Sequence, residues 1–345
     1  MAPPHPLRVA VVGAGAFGRN HLRVYRELQH SGHDVQLAAV IDCNPAVASE
    51  AAANFNVSGF DSIEACLAAL GKLDAASICV PTVHHASAAA PLLAAGIDLL
   101  IEKPLAASLV DADSILALAR KHGRIVQAGH LERFNPAVTA ARLHLHRPMF
   151  FEAHRLSVFT PRSLDVDVVL DLMIHDLDIV LSLVASPVRE VRAVGLPVLS
   201  NKVDIANVRV EFENGCVANF TASRVSTERV RKLRFFQPHQ YLSLDFARQD
   251  LLMIDVTAAA GMDPAQLAAI AQMAQQTGQH PSAGLSLTKV PVEQGEPLRL
   301  EIESFLDAVR TRTTPLVSGE DGRAALALAL EINQAIAMHA KRTGL

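Results

Sequence analysis

Residues 7–18 read Leu7-Arg8-Val9-Ala10-Val11-Val12-Gly13-Ala14-Gly15-Ala16-Phe17-Gly18. The aliphatic run Leu7–Val12 predicts a strand, and the helical spacing of apolar residues over Phe17–Leu28 predicts a helix directly after it. Between them lies the pattern G-x-G-x-x-G. In that position Gly13 allows a tight turn, Gly15 lets backbone approach a ligand, and Gly18 lets helix and strand pack closely. By itself the pattern is only a glycine-rich turn. Its place at the start of a helix adds unpaired N–H groups and a positive dipole end, which suit the pyrophosphate of a dinucleotide.

The chain around this stretch supports the same reading. Val35–Ile41 predicts a second strand, and Asp42 follows at the position where a ribose-binding acid is expected. A carboxylate there accepts from the adenosine ribose hydroxyls and repels a 2′-phosphate. Cys43 and Asn44 beside it offer no positive charge. NAD is therefore the expected cofactor, in preference to NADP. Gly13, Gly15 and Gly18 are expected at the cofactor with Asp42, as are Ala16 and Phe17 inside the same turn.

Further on, helix-like and strand-like stretches alternate. Helices are expected near Pro45–Asn54, Ser62–Leu70, Val83–Ala95 and Ser108–His122, with strands at Ser58–Phe60, Ala75–Val80, Asp98–Ile101 and Arg124–Gln127. Apolar strands separated by helices imply a parallel sheet covered on both faces, an α/β Rossmann domain over residues 1–129. The pattern then changes. After a helix at Pro136–His146, an extended segment at Phe150–Phe159 and a helix at Asp171–Leu183, the stretch Val188–Val256 reads as strand after strand. Its clearest hairpin pairs Val208–Phe212 with Val217–Thr221 around Asn214-Gly215. A loop follows, then helices at Pro264–Gln276, Pro297–Thr311 and Gly319–Lys341. Residues 130–345 are thus expected to form an α+β domain with a mostly antiparallel sheet, for substrate binding and self-association.

Composition narrows the function class. Of 345 residues half are hydrophobic, 19% are charged and the net charge is −4, which gives no global pull toward nucleic acid or an anionic membrane. Two tyrosines and no tryptophan make a base-stacking platform improbable. The four cysteines form no C-x-x-C pair and read as reduced packing residues. No apolar run approaches the roughly 20 residues that span a bilayer, and the expected location is the cytoplasm.

Two clusters carry candidate chemistry. Glu102-Lys103-Pro104 stands at the carboxyl end of the strand Asp98–Ile101, the edge where open α/β sheets bind ligands. Lys103 there is either functional or simply a solvated loop lysine. In the second cluster, Asp171, His175 and Asp178 share one face of a helix at i, i+4 and i+7, with Asp176 pointing elsewhere. A carboxylate beside an imidazole fixes its tautomer and raises its basicity, as a general base on a sugar hydroxyl requires. The plainer reading is acids at a helix start beside a partly buried histidine. No accompanying His or Cys ligand pair suggests a metal.

Taken together, Val11-Val12-Gly13-Ala14-Gly15-Ala16-Phe17-Gly18, the run from Val80-Pro81-Thr82 to His85, Ala95-Gly96 leading to Glu102-Lys103-Pro104, Asp171…His175 and Val317-Ser318-Gly319-Glu320-Asp321-Gly322 resemble the glucose–fructose oxidoreductase/inositol dehydrogenase (Gfo/Idh/MocA) family over essentially the whole chain. The resemblance implies that Lys103, Asp171 and His175 converge at the nicotinamide. Lys103 would orient the reacting oxygen, His175 would exchange the hydroxyl proton, and Asp171 would support them. It adds Pro81, Thr82, His85, Glu102 and Lys103 to the cofactor-binding set, and a cis peptide before Pro104. It also implies a homodimer or homotetramer. One departure stands out: the glycine pair usual before the Asp is replaced by Asp167-Val168-Val169-Leu170.

Gly129-His130-Leu131-Glu132-Arg133-Phe134-Asn135-Pro136 and the segment Arg155 to Arg162 resemble the branch of that family that oxidises nucleotide sugars, particularly UDP-N-acetylhexosamine 3-dehydrogenases. Arg133, Arg155 and Arg162 could donate to a diphosphate or to sugar oxygens, or could be ordinary surface arginines. Asn135 could bind a sugar hydroxyl or cap the next helix, and His130 joins the substrate set with Asp171 and His175. The implied reaction is oxidation of C3 of UDP-N-acetylglucosamine to the 3-keto sugar, a precursor for a 3-amino group in surface polysaccharide or lipid A. The alternatives are a dehydrogenase of a free polyol or sugar such as an inositol, and a non-catalytic NAD-binding regulator. A sensor has no need of the Lys103–His175 proton-transfer pair.

Overall fold

A computed structural model describes residues 5–160, 166–256, 262–277 and 287–344. The chain divides into two compact units, Met1–Phe134 with Glu296–Ala327, and Asn135–Gly295 with Leu328–Leu345.

The first unit alternates strand and helix from its start: β1 (Leu7–Val12), α1 (Ala16–His30), β2 (Val35–Ile41), α2 (Pro45–Phe55), β3 (Ser58–Phe60), α3 (Ile63–Leu70), β4 (Ala75–Ile78), α4 (His85–Ala94), β5 (Asp98–Glu102), α5 (Leu109–His122) and β6 (Val126–Gly129). The six strands pair in parallel in the order β3-β2-β1-β4-β5-β6, the doubly wound arrangement whose order reverses between β1 and β4. The central strands are buried on both faces, which is why they read as largely apolar runs: all four residues of β4 and all five of β5 are buried. Helix ends follow local chemistry. Asn44, Ser62 and Ser108 accept from helix N–H groups, and Gly123 ends α5 in the left-handed region.

The second unit opens with α6 (Pro136–Arg142) and β7 (Phe150–Val158), then α7 (Ile174–Val184), β8 (Val188–Leu196), β9 (Ile205–Phe212), β10 (Val217–Ser226), β11 (Val230–Gln237), β12 (Gln240–Asp245), β13 (Asp250–Asp255), α8 (Pro264–Gln276) and β14 (Leu287–Val290). Eight strands form one sheet in the order β14-β13-β12-β11-β7-β10-β9-β8. Only β7 and β10 run parallel; every other neighbouring pair is antiparallel. The Asn214-Gly215 hairpin sets the register of β9 on β10, with Gly215 at φ +83 and its N–H donating to Phe212 O. Alternation then sorts the faces: Ala206, Val208, Val210 and Phe212 are buried while Asn207 and Arg209 are exposed. The short strand β14 lies in what the sequence reads as loop. Its pairing partner β13 lies far back in the chain, and a four-residue run signals little alone.

The chain then returns to the first unit. Helix α9 (Pro297–Thr311) places Ile302, Phe305 and Leu306 in one core with Leu22, Tyr25 and Leu28 of α1. Full burial of each such side chain contributes roughly 1.5–3 kcal/mol. The segment Val317–Ser318 then joins the open edge of β6, with Ala128 N–H donating to Val317 O. The last helix, α10 (Gly319–Thr343), follows. A single break at residue 129 therefore does not describe the chain: Glu296–Ala327 packs with the first unit because its apolar face has a partner there. No described helix is long and apolar enough to cross a membrane.

Candidate functional site

The turn from β1 to α1 shows why its glycines are glycines. Gly13 has φ +94, and a Cβ there would stand 2.8 Å from the Cys79 carbonyl and the Val80 nitrogen. A Cβ on Gly18 would collide with the Gly13 carbonyl oxygen. At Gly15 a Cβ would meet nothing within 4 Å, so the turn is open here, at the N-terminus of α1, which no side chain caps. Asp42, at the end of β2, is tied into the same turn. Its Oδ2 accepts from Ala14 N–H at 2.8 Å and its Oδ1 from Asn44 N–H at 2.9 Å.

A groove of about 790 Å³ runs along these residues. Gly13, Gly15, Ala16, Phe17, Asp42 and Pro81 all line it, and Asp61 and Glu64 add two further carboxylates near Asp42. Cys79 borders it too. Burial, with the nearby Glu102 and Glu301 carboxylates, pushes its thiol far up, so it stays protonated. The open turn, the helix N-terminus and the fixed acid are the features a dinucleotide requires. Asp42 can still accept from ribose hydroxyls because a carboxylate offers about four lone-pair sites.

Thr82 starts a short 3-10 turn, Thr82–His84, and is not part of the groove wall. His85 and Glu102, both expected at the cofactor, face inward instead. His85 is 1% exposed, with Nε2 3.0 Å from Val80 O and Nδ1 3.0 Å from Pro104 O. Burial pushes its imidazole down. Glu102 is 8% exposed and its Oε1 lies 2.9 Å from Nε2 of His21 in α1, a residue inaccessible to solvent. The sequence carries no sign of that pairing: His21 and Glu102 are 81 positions apart and meet only because α1 packs on this sheet. Lys103 follows Glu102, half-buried, with a cis peptide to Pro104.

In the second unit, Val169–Met173 forms a π-helical turn that runs into α7. Asp171 lies on that turn and His175 on the first turn of α7, both half-buried. Asp178, expected on the same face, is 1% exposed. Asp167 occupies the place of the expected glycine pair and acts as the cap. Its Oδ1 accepts from Val169 and Leu170 N–H, each at 3.0 Å, and its Oδ2 from Asn333 of α10 at 3.1 Å. A short acid just before a helical run was the available signal for this role.

The other substrate candidates divide. Arg155 is 2% exposed and binds Asp176 through two bonds, Nε at 2.9 Å and Nη2 at 2.8 Å, with its guanidinium over the Phe246 ring. That fork orients the start of α7. Asn135 caps α6 through Ala137 N–H at 3.1 Å, and its amide donates to Phe246 O at 3.1 Å. Arg133 and His130 are buried in the first unit, Arg133 3.7 Å from Asp321. Arg162 lies outside the described residues.

Residues 7–130 match an oxidoreductase family with an NAD-binding Rossmann fold, and residues 136–237 match the GFO/IDH/MocA C-terminal domain. The chain belongs to the GFO/IDH/MocA family. It is an NAD-binding oxidoreductase, and its first unit is the NAD-binding domain of that family. Among relatives, it is 35% identical over 331 residues to UDP-N-acetylglucosamine 3-dehydrogenase of Acidithiobacillus ferrooxidans, covering 96% of this chain and 97% of that one. A solved structure of that enzyme superimposes with a TM-score of 0.83 at 34% identity, covering 97% of this chain and 98% of the other. Inositol 2-dehydrogenase of Acidothermus cellulolyticus is 28% identical over 201 residues, covering 56% of this GFO/IDH/MocA chain and 58% of its own.

Proposed function

We propose that this enzyme oxidises the C3 hydroxyl of UDP-N-acetylglucosamine to the 3-keto sugar. The observation that carries the reading is the extent of likeness to the Acidithiobacillus enzyme. It spans 96% of the chain, both units included, whereas the inositol dehydrogenase likeness spans 56%. Substrate choice resides in the residues that vary outside the shared cofactor domain, so full-length likeness bears on substrate and partial likeness bears on cofactor.

The chain's own residues divide the work. The open turn at Gly13–Gly18 holds the pyrophosphate and Asp42 the adenosine ribose. Bound NAD⁺ supplies the hydride acceptor. Lys103 donates to the C3 oxygen and holds it in place. His175 takes the hydroxyl proton as the C3 hydrogen leaves with its bonding electrons, so that C3=O forms. Asp171 steadies the imidazole from the preceding turn. The second unit bears the sugar nucleotide. The 3-keto group so formed suits later introduction of a 3-amino group for a surface polysaccharide or lipid A.

NADH formation should follow mixing of enzyme and NAD⁺ with UDP-N-acetylglucosamine, and not with myo-inositol or free glucose. Turnover with the polyol alone would replace the substrate while keeping the cofactor chemistry. Lys103→Ala and His175→Ala should each lose turnover while binding NAD⁺ as the parent does; retained turnover removes that residue from the mechanism.

A further inference from the structure

Lys103 is flanked by two residues, and each is held by a buried histidine from a different helix. On one side His21 Nε2 lies 2.9 Å from Glu102 Oε1. On the other, His85 Nδ1 lies 3.0 Å from Pro104 O and 3.3 Å from Leu105 O. The histidines are 0% and 1% exposed. Each also leads to the wall of the dinucleotide groove. The His21 ring contacts Phe17, at 5.6 Å between centroids, and Phe17 lines the groove. The second nitrogen of His85 lies 3.0 Å from Val80 O, and Val80 lines it as well.

We propose that His21 and His85 are positioning residues that brace Lys103 against the bound dinucleotide, which rests on the catalytic part given to Lys103 above. Polar rings in a core are costly unless they hold something. An aliphatic side chain would fill position 21 without leaving a buried ring nitrogen, Nδ1, lacking a partner. What the imidazole adds is its hold on Glu102. That carboxylate is also confined from β6, where a Cβ on Gly129 would come within 2.9 Å of Glu102 Cα and Oε1. Holding the Glu102 carboxylate inward fixes the end of β5, the backbone from which Lys103 departs. His85 then fixes the backbone on the far side of the lysine. With both flanks held, the ammonium loses freedom that it would otherwise have to give up in each turnover.

The test uses Lys103→Met alone, and His21→Leu, His85→Leu and the conservative His21→Gln and His85→Gln, each alone and combined with Lys103→Met. Single-turnover NADH formation from UDP-N-acetylglucosamine, NAD⁺ affinity by titration and melting temperature are measured on the whole enzyme. The leucine variants should lower the rate about tenfold or more with NAD⁺ affinity within about threefold. Glutamine, which keeps a donor at each position, should restore most of it. In the Lys103→Met background the same substitutions should cost nothing further, because residues acting through one group do not add. Folded leucine variants with parental rates, or losses that add to that of Lys103→Met, would overturn the brace. Methionine replaces leucine at either position where leucine prevents folding. Parental turnover in Lys103→Met alone would instead remove the lysine's role, and the brace with it.

Discussion

Asp42 accepts from the backbone N–H of Ala14 at 2.8 Å, so the acid that ends β2 is part of the glycine turn that ends β1. One carboxylate therefore shapes the glycine turn and is also the group proposed above to hold the adenosine ribose.

Asp42→Ala should weaken NAD⁺ binding by about tenfold, the worth of roughly 1.4 kcal/mol, and should narrow the preference for NAD⁺ over NADP⁺. Titration with both dinucleotides checks it. An unchanged ratio of affinities would exclude Asp42 from ribose recognition.

Gly18→Ala should be costly. The added methyl collides with the Gly13 carbonyl oxygen, and relief requires α1 to move off the turn. A loss of about 2 kcal/mol in stability is expected, with weaker NAD⁺ binding, measured by denaturant unfolding and titration. Gly15→Ala, where a methyl meets nothing in the protein, should leave stability near that of the parent and lower NAD⁺ affinity.

Asp167→Ala removes two N–H caps and the bond from Asn333. Stability should fall by about 1 kcal/mol. Turnover should fall more than NAD⁺ affinity, since the turn it holds bears Asp171 and runs into the first turn of α7, which bears His175. Asp167→Asn, which keeps an acceptor for the two N–H groups, should recover most of the activity.

Asp204 should contribute to the acid sensitivity of the second unit. Burial would raise its carboxyl, but N–H groups of Ser200 and Leu199, the Ser200 hydroxyl and Arg224 together hold it well below the usual carboxylate range. A depressed native value stabilises the fold at pH above about 4, the unfolded value, and the contribution is lost as pH falls toward the native one. Asp204→Asn should cost about 3 kcal/mol at pH 7 because Arg224 keeps its charge without its partner. The gap between parent and variant in urea unfolding should shrink at pH 3; a gap that stays constant would place the effect elsewhere than in ionisation.

Much of this was legible from local pattern. The spacing of Gly13, Gly15 and Gly18 after an apolar strand, the acid at 42, and the Asn214-Gly215 turn each act over a few residues, and the structure has the expected elements at those places. Local chemistry also located α9, though not its partner. Local pattern left a choice open where a side chain had two good uses. The resemblance makes Arg155 and Asn135 candidates for sugar recognition, and in the fold the buried acceptors Asp176 and Phe246 O engage them.

The sequence by itself determined the order of strands and helices apart from β14, the glycine turn and the spacing of Asp171 and His175, because helix, strand and turn preferences are set by near neighbours. Only the tertiary structure decided that Glu102 and His85 turn inward, that His21 meets Glu102 across 81 positions, that a π turn carries Asp171, and that Glu296–Ala327 belongs with the first unit. Those outcomes depend on which buried polar group finds which partner once apolar faces have packed, and a one-dimensional pattern does not contain that pairing.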